Sequence, residues 1–241
     1  MDLGIRGRVA LVTASSKGLG RASALALAEE GCRLVVCARG EEALRATEKA
    51  LAERTDVLAV VEDVTDPDAP RRLVEATVDR FGAVDILVPN AGGPPPGRAL
   101  DVEDEQLAAA INANLVTSVR LVREAVPRMR SRRWGRICCI ASYSVKQPVP
   151  TLALSNTART ALWAWSKTAA QDLFSDGITL NLALPGSHAT DRMRELGGGD
   201  VGGMGDPADF GRVVAFLCSQ PANYLTGVAL QVDGGATLGL L

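Results

Sequence analysis

The feature that most constrains the fold is an alternation of short apolar runs with longer amphipathic segments. The apolar runs are rich in Val, Leu and Ile without polar alternation, which is typical of strands buried on both faces. Alternating β and α units of this kind predict an α/β fold: a doubly wound Rossmann-like domain with a seven-stranded parallel sheet and helices on both faces. The strands are predicted at 9–13, 33–38, 57–61, 86–89, 136–140, 179–184 and 228–232.

Segments with helical spacing lie between these runs. Pro127 is expected to kink or end the regular part of the fourth predicted helix. The pattern runs through nearly all of the 241 residues, so we predict one domain over 1–241 with no separate substrate domain. The helices are predicted at 18–30, 41–54, 67–81, 102–130, 152–174 and 207–219.

Composition excludes several classes of function. The 26 basic and 28 acidic residues give a net charge of -2, which argues against nucleic acid or an anionic membrane as partner. The chain has neither a signal-peptide pattern nor an apolar run of roughly 18 residues, so we expect a cytoplasmic protein with a small-molecule substrate. The five cysteines form no CxxC pair, which predicts buried free thiols and no metal site.

A glycine-containing turn joins the first strand to the first helix, with the sequence TASSKGLG over 13–20. Glycines at such a turn let the backbone approach a pyrophosphate, and the helix N-terminus then offers free N–H groups and a positive dipole end. Its position directly after the first strand makes it a predicted cofactor loop. The loop residues predicted to hold the cofactor are Thr13, Ser15, Lys17, Gly18, Leu19 and Gly20.

Further motifs follow in a fixed order: NAG at 90–92, Asn114 in a long helix, Ser142 after the fifth strand, PG at 185–186 and DGG at 233–235. Together with the turn, they resemble the short-chain dehydrogenase/reductase (SDR) family over residues 7–235, and by pattern the 3-oxoacyl-acyl-carrier-protein reductases most. The resemblance implies an NAD(P)-dependent oxidoreductase in which Ser142 and Asn114 belong to the catalytic set. It also implies further cofactor contacts from Asp63, Val64, Asn90, Ala91, Gly92, Pro185, Gly186, His188 and Thr190.

One residue of the turn departs from the family pattern, because the first glycine of TGxxxGxG is Ala14 here. Alanine does not take positive φ freely. We expect a modest distortion of the pyrophosphate turn without loss of binding.

Charge predicts the choice of cofactor. Rossmann proteins that use NAD usually place an acid at the end of the second strand, whereas a basic residue there suits a 2′-phosphate. This chain has Arg39 at that point and Lys17 in the glycine turn. Two cations close to one dianion favour NADP(H) over NAD(H).

The family's catalytic pair is replaced. In the SDR family a tyrosine lies thirteen residues after the catalytic serine, and a lysine lies four residues further on. Counting from Ser142 leads to Ser155 and Arg159. A serine hydroxyl is far less acidic and shorter than a phenol. Arg159 can still donate to the ribose hydroxyls. We therefore expect cofactor binding to survive and standard carbonyl reduction to be weakened or lost.

Three other side chains are considered as replacement proton donors. Tyr143 follows Ser142, but in an extended segment it is expected to point to the opposite face. His188, the single histidine, lies just past the sixth strand, either as a proton donor, as an exposed loop residue or as a backbone contact to the cofactor amide. Lys146 is expected to be a surface charge.

Two segments bear on substrate and assembly. The loop after the sixth strand is short and glycine-rich over 197–205, so it is costly to order and offers little apolar cover. The helices predicted at 102–130 and 152–174 correspond to those that pair subunits in the family, so we expect a homo-oligomer, a dimer or tetramer. Trp163 and Trp165 lie on the second of them.

Three functions stay open at this point. The first is an atypical NADP(H)-dependent oxidoreductase acting on a carbonyl or hydroxyl of a small molecule or acyl thioester. The second is a cofactor-binding protein without hydride transfer. The third is non-redox chemistry, such as dehydration or cyclisation, on the same scaffold.

Overall fold

A computed structural model describes residues 1–196 and 203–240. Its centre is one parallel sheet of seven strands in the order β3-β2-β1-β4-β5-β6-β7, which confirms the predicted fold class. The order in which strands are added to the sheet reverses between β1 and β4, where doubly wound folds bind ligands at the carboxyl ends of the strands. The strands are β1 (Val9–Val12), β2 (Arg33–Ala38), β3 (Val57–Val61), β4 (Ile86–Val88), β5 (Gly135–Ile140), β6 (Ile178–Pro185) and β7 (Ala229–Val232).

Helices cover both faces of the sheet. Side chains of α1, α2 and α8 pack on one face around Phe210 and Leu27, while those of α3, α5 and α6 pack on the other around Leu121 and Leu162. Successive strand residues such as Val12 and Leu11 point into opposite layers, which is why the strands are apolar throughout. The helices are α1 (Gly18–Glu29), α2 (Glu41–Ala52), α3 (Ala69–Phe81), α4 (Asp104–Ile111), α5 (Thr117–Arg132), α6 (Ala153–Phe174), α7 (Asp191–Glu195) and α8 (Pro207–Leu217).

The fourth predicted helix differs from the expectation in two ways. It is divided by a π-helical turn at Asn112–Val116 into α4 and α5. Pro127 does not end it, since α5 continues to Arg132. The residues around the proline explain this, because Val126 and Met129 are buried against the sheet and hold the helix in place.

The remaining global predictions concern cysteines and the membrane. All five cysteines are free and buried, as predicted. Burial raises the pKa of the Cys37 thiol to about 12, so it is a poor nucleophile. Within 1–196 and 203–240, none of the helices has the length and apolarity that a membrane crossing requires.

Candidate active site

One large cleft opens at the carboxyl ends of the strands. Its volume is about 1220 Å³, above the 300–1,000 Å³ that is typical of sites for a single small ligand. The cleft joins the glycine turn to the region around Ser142. Predicted residues that line it are Lys17, Gly18, Leu19, Arg39, Asp63, Val64, Asn90, Ala91, Gly92, Asn114, Ser142, Ser155, Arg159, Pro185, Gly186, His188 and Thr190.

The N-terminus of α1 forms the anion-binding end of the cleft. The helix begins at Gly18, whose φ of 59° lies in the left-handed region that glycine adopts without strain. Lys17 at the N-cap makes no side-chain cap, and the first turn holds no acidic residue. The first N–H groups of α1 therefore retain their capacity to bind an anion.

Gly20 and Asn90 hold the turn closed. A Cβ on Gly20 would lie 2.5 Å from the Ala14 carbonyl oxygen and 2.7 Å from Asn90 Nδ2, so only glycine fits. Asn90 Nδ2 donates to that same Ala14 oxygen at 3.1 Å. Ala14 takes a φ of 46°, so it keeps the left-handed backbone despite its methyl group, at a cost of about 1–2 kcal/mol.

Two of the predicted cofactor contacts are instead buried supports of the turn. Thr13 Oγ1 donates to Asn90 O at 2.7 Å and accepts from Asn90 N at 2.8 Å. Ser15 Oγ donates to Val12 O at 2.9 Å. Both side chains are fully buried and hydrogen-bonded to backbone atoms of neighbouring segments, so they do not line the cleft. The turn presents Ala14 and Ser16 to the cleft in their place.

Two exposed cations stand at the outer end of the cleft. The Arg39 side chain is 77% exposed and lies 3.8 Å from Asp63, while that of Lys17 is 64% exposed and lies 3.9 Å from Glu195. Exposed pairs at these distances are weak, so both cations remain available to an anionic ligand. Burial acts to raise the pKa of Asp63, but hydrogen bonds from Thr65 and the charge of Arg39 outweigh it and lower the pKa.

The backbone at this end leaves room for a dinucleotide. A Cβ built on Gly92 meets nothing within 4 Å, and one built on Gly18 meets only Thr190, at 3.8 Å. The glycine backbone leaves room for a pyrophosphate, and the free N–H groups of α1 can donate to it. The two cations can bind a further phosphate. The residues present therefore fit an NAD(P)-type cofactor.

The inner end of the cleft is built on β5 and α6. Ser142 Oγ accepts from Ser144 N at 3.1 Å, which leaves its own O–H to donate to a ligand. Ser155 in the first turn of α6 is buried and lines the same space. Asn114 is placed by the π-helical turn. Its Nδ2 donates to Ala110 O at 3.3 Å, while its buried Oδ1 has no hydrogen-bond partner within the described residues.

Arg159 is a buried cation at the floor of the cleft. Arg159 is only 8% exposed, and its Nη1 donates to Ile140 O at 3.0 Å and to Ala141 O at 2.9 Å. Burial lowers its pKa to about 10, with a smaller contribution from the positive charge of Arg192. The guanidinium therefore stays charged at neutral pH.

The expectation that Tyr143 points away from the site is wrong. Ser142 is extended, but the chain then turns into a 3₁₀ helix at Tyr143–Val145. The alternation of a strand is lost there, and Tyr143 lines the cleft together with Ser142. A turn directly after a strand leaves little sequence signal, which is why the extended geometry was expected.

His188 and Lys146 also differ from the simplest expectations. His188 is buried at 5% exposure, with Nδ1 3.2 Å from Gly186 O and its ring packed edge-on to Phe210 at 5.2 Å. This excludes the exposed loop position, and the packed ring favours a structural role over proton donation. Lys146 is half-buried and donates to Gln231 Oε1 at 3.0 Å.

A short helix, α7, covers part of the inner end. The sequence predicts only a loop here and carries no signal for Arg192. That side chain donates from Nη2 to Pro94 O and lies 3.6 Å from Glu195. It lines the same cleft as Arg159. Most of the predicted glycine-rich stretch, 197–202, lies outside the described residues.

The fold and the cleft define a Rossmann-type dinucleotide-binding protein with an oxidoreductase-like site. Comparison with known sequences narrows this class. The family model described as Enoyl-(Acyl carrier protein) reductase matches residues 13–237. The 3-oxoacyl-[acyl-carrier-protein] reductase FabG of Escherichia coli (strain K12) is 33% identical, over 97% of this chain and 98% of that protein. Dehydrogenase/reductase SDR family member 4 of Sus scrofa is also 33% identical, over 96% and 88% respectively. The chain belongs to the SDR family.

Solved structures agree with this assignment. L-sorbose reductase from Gluconobacter frateurii, in complex with NADPH and L-sorbose, is 33% identical and superposes with a TM-score of 0.92 over all of both chains. YwfH, an NADPH-dependent reductase involved in bacilysin biosynthesis, has a TM-score of 0.92 at 24% identity and supports the fold alone.

Proposed function

We propose that this protein is an NADP(H)-dependent oxidoreductase that acts on a carbonyl or hydroxyl group of a small molecule. The observation that carries the proposal is the single cleft in which the glycine turn, two exposed cations and the Ser142–Arg159 region meet. The curated relatives named above are reductases or dehydrogenase/reductases, which supports redox chemistry on this scaffold.

The preference for NADP(H) over NAD(H) rests on Lys17 and Arg39. Both are largely exposed at the outer end of the cleft, where a 2′-phosphate on the adenine ribose would meet them. The acid that NAD-binding Rossmann proteins usually carry at the end of the second strand is absent, since Arg39 follows β2. The NADPH in the L-sorbose reductase structure supports the same choice.

The catalytic groups take modified roles. The reduced cofactor supplies a hydride to the substrate when it is bound. Ser142 has a free O–H and can donate to the substrate oxygen. Arg159 keeps a positive charge close to that oxygen and stabilises negative charge as it develops there. Ser155 is too weak an acid to replace the family's phenol.

We assign the proton-donor role to Tyr143. Tyr143 is the one tyrosine that lines the cleft in the described part of the chain, and it follows Ser142 directly.

The test is NADPH oxidation measured with a panel of small ketones, keto esters and keto acids. Tyr143→Phe is expected to lower kcat by about 100-fold, the contribution of a positioned acid, without a comparable change in KM for NADPH. Tyr224→Phe is the matched control, because Tyr224 is 85% exposed outside the cleft. Equal kcat for Tyr143→Phe and wild type would remove Tyr143 from the mechanism. NADPH binding without turnover on any carbonyl would remove the redox function itself.

The second candidate is a protein that binds the cofactor without hydride transfer, or one that uses the scaffold for dehydration or cyclisation. The replacement of tyrosine and lysine by Ser155 and Arg159 favours it. The double variant Ser155→Tyr with Arg159→Lys separates the candidates. Carbonyl reduction by the double variant and none by wild type favours the non-redox candidate, whereas turnover by wild type excludes it.

Assembly and location remain proposals. We propose a cytoplasmic homo-oligomer, a dimer or tetramer, that pairs through the α4–α5 segment and α6. Trp163 and Trp165 on α6 are partly buried within the single chain. Light scattering coupled to size exclusion tests this, and a monomer at micromolar concentration would contradict it.

A further inference from the structure

Within the described part of the chain, Arg159 has no counter-ion. No carboxylate of residues 1–196 or 203–240 lies within ion-pair distance of it, and its described protein acceptors are the two β5-end carbonyls. A buried guanidinium with neutral partners alone is costly, because its charge has lost most of its hydration. A site of this kind gains stability when an anion binds beside it.

Arg192 brings a second cation to the same cleft. It is anchored by its bond to Pro94 O, and its guanidinium lies about 3.1 Å from where a Cβ on Gly93 would be. Arg192 and Arg159 line the same cleft, and the positive charge of Arg192 lowers the pKa of Arg159. The inner end of the cleft therefore holds two guanidinium groups, that of Arg159 at its floor and that of Arg192 on α7.

Among the described residues, the carboxylates at the inner end of the cleft balance all but one of the positive charges there. Glu195 lies between Arg192 at 3.6 Å and Lys17 at 3.9 Å, and Lys17 belongs to the outer end of the cleft. One carboxylate, Glu195, and two guanidinium groups, Arg192 and Arg159, give this part of the cleft a net charge of +1. The other described lining carboxylates have ion-pair contacts with Arg72, Arg39 and Arg194 and none with Arg159 or Arg192, so they do not neutralise the inner pair of cations.

We infer that the substrate carries a single negative charge, a carboxylate on a small keto or hydroxy compound, which Arg192 and Arg159 bind. Guanidinium groups match the planar geometry of a carboxylate and bind it through charge-assisted hydrogen bonds. This inference rests on the proposed function and names the substrate class of the same site.

The apolar part of the inner cleft limits the rest of the substrate. Leu152, Val149 and Met193 line it, beside the Pro94–Pro96 loop. Together with the cations, these residues fit a keto acid with a short apolar body. They fit a neutral thioester less well, because the acyl carbonyl of a thioester brings no charge to balance Arg159.

The test compares α- and β-keto acids with their methyl esters, by calorimetry on the protein with and without NADP⁺. We expect acids to bind at least about tenfold more tightly than esters, as for one charge-assisted contact. Arg192→Leu is expected to remove most of this difference, and Arg192→Lys to restore part of it. Arg194→Leu is the matched control, since Arg194 lies on the same helix but is 74% exposed and paired with Asp191.

Two results would overturn the inference. Equal affinity of the wild type for acid and ester excludes a substrate carboxylate. A loss of NADPH affinity in Arg192→Leu, with the acid preference intact, assigns Arg192 to the cofactor phosphates instead. Calorimetry without cofactor keeps this test separate from the proposed function, because acid binding can be measured even if NADPH does not bind or is not oxidised.

Discussion

The two ends of the cleft use one scaffold in different ways. The outer, nucleotide end keeps the family's glycine turn, and even Ala14 adopts the left-handed backbone expected of glycine. The inner end brings Ser142 and Asn114 together with Ser155 and Arg159, which we propose stand in place of the family's tyrosine and lysine. On this proposal, the backbone of the site is maintained independently of its proton chemistry.

The difference follows from what each end must hold. At the outer end, backbone groups form the site, so a changed glycine affects folding directly. At the inner end, α6 is fixed by core residues such as Leu162 and Leu173, which face away from the cleft. The side chains on its other face are free to change without loss of the fold. The predictions below test this division.

The largest effect is expected at the outer end. Gly20→Ala would bring a methyl group to 2.5 Å from the Ala14 carbonyl oxygen, so the turn or helix α1 must shift. We expect the free energy of unfolding to fall by about 3 kcal/mol, in the range of overpacking costs, and NADPH binding to weaken. Gly40→Ala is the control, since a Cβ there meets nothing within 4 Å. Urea denaturation of both variants measures the difference, and similar stabilities would refute the close-packing argument.

At the inner end, Arg159→Met should separate activity from stability. Activity on the best carbonyl substrate is expected to fall by about 100-fold, because electrostatic stabilisation of the substrate oxygen is lost. The free energy of unfolding should change by less than about 1 kcal/mol, since loss of two hydrogen bonds offsets removal of a buried charge. A large fall in stability with activity retained would make Arg159 a structural residue.

The pKa of Arg159 gives a related pH dependence. The folded-state pKa of about 10 lies below the ordinary pKa of an arginine, so folding disfavours the charged form. The resulting loss of stability is complete below pH 10 and is relieved as the pH rises from about 10 to the ordinary pKa of arginine. Substrate binding that needs the charge should therefore weaken above pH 10 in wild type. The same weakening in Arg159→Met would assign it to another group.

A smaller effect is expected from the two outer cations. Lys17→Ala and Arg39→Ala should each weaken NADPH binding by about five- to tenfold, the size expected for an exposed charge-assisted contact. The affinity for NADH should change by less than about twofold, because NADH lacks the 2′-phosphate that these cations face. Arg71→Ala is the control, since Arg71 is exposed on α3 and paired with Glu75. Equal losses for both cofactors would place these cations at the shared pyrophosphate.

The smallest effect concerns Ala14. Ala14→Gly relieves the left-handed strain, offset in part by the greater entropy of glycine in the unfolded chain, so stability should rise by about 0.5–1 kcal/mol. Ala189→Gly, at an exposed loop position with negative φ, should give no gain. Thermal unfolding of the two variants tests this, and a loss of stability in Ala14→Gly would show that the turn gains nothing from glycine.

The sequence predicted the fold well and identified many residues that line the outer end of the cleft, while their role in cofactor binding stays a prediction. Strand periodicity and ordered motifs identify the sheet, and Lys17, Arg39 and Gly18 lie where the motifs place them. The misses at this end are Thr13 and Ser15, whose hydroxyl groups hydrogen-bond to backbone atoms. A motif specifies which backbone segment binds, but not which of its side chains turn inward.

The inner end was predicted less completely. Tyr143 enters the cleft through a 3₁₀ turn, and Arg192 through the short helix α7, and neither element has a periodic pattern long enough to detect. Asn114 was identified, but the π-helical turn that places it was not. Such short elements are fixed by tertiary contacts, such as the bond of Arg192 to Pro94, rather than by local propensity.

The central claim, an intact nucleotide site beside a rebuilt catalytic end, is tested most directly by fluorescence titration of the wild-type protein with NADPH and with NADH. The account predicts a blue-shifted, saturable change in NADPH emission and an affinity for NADPH at least about tenfold higher than for NADH, as two cations facing a 2′-phosphate require. No spectral change with either nucleotide, or equal affinity for both, would contradict it.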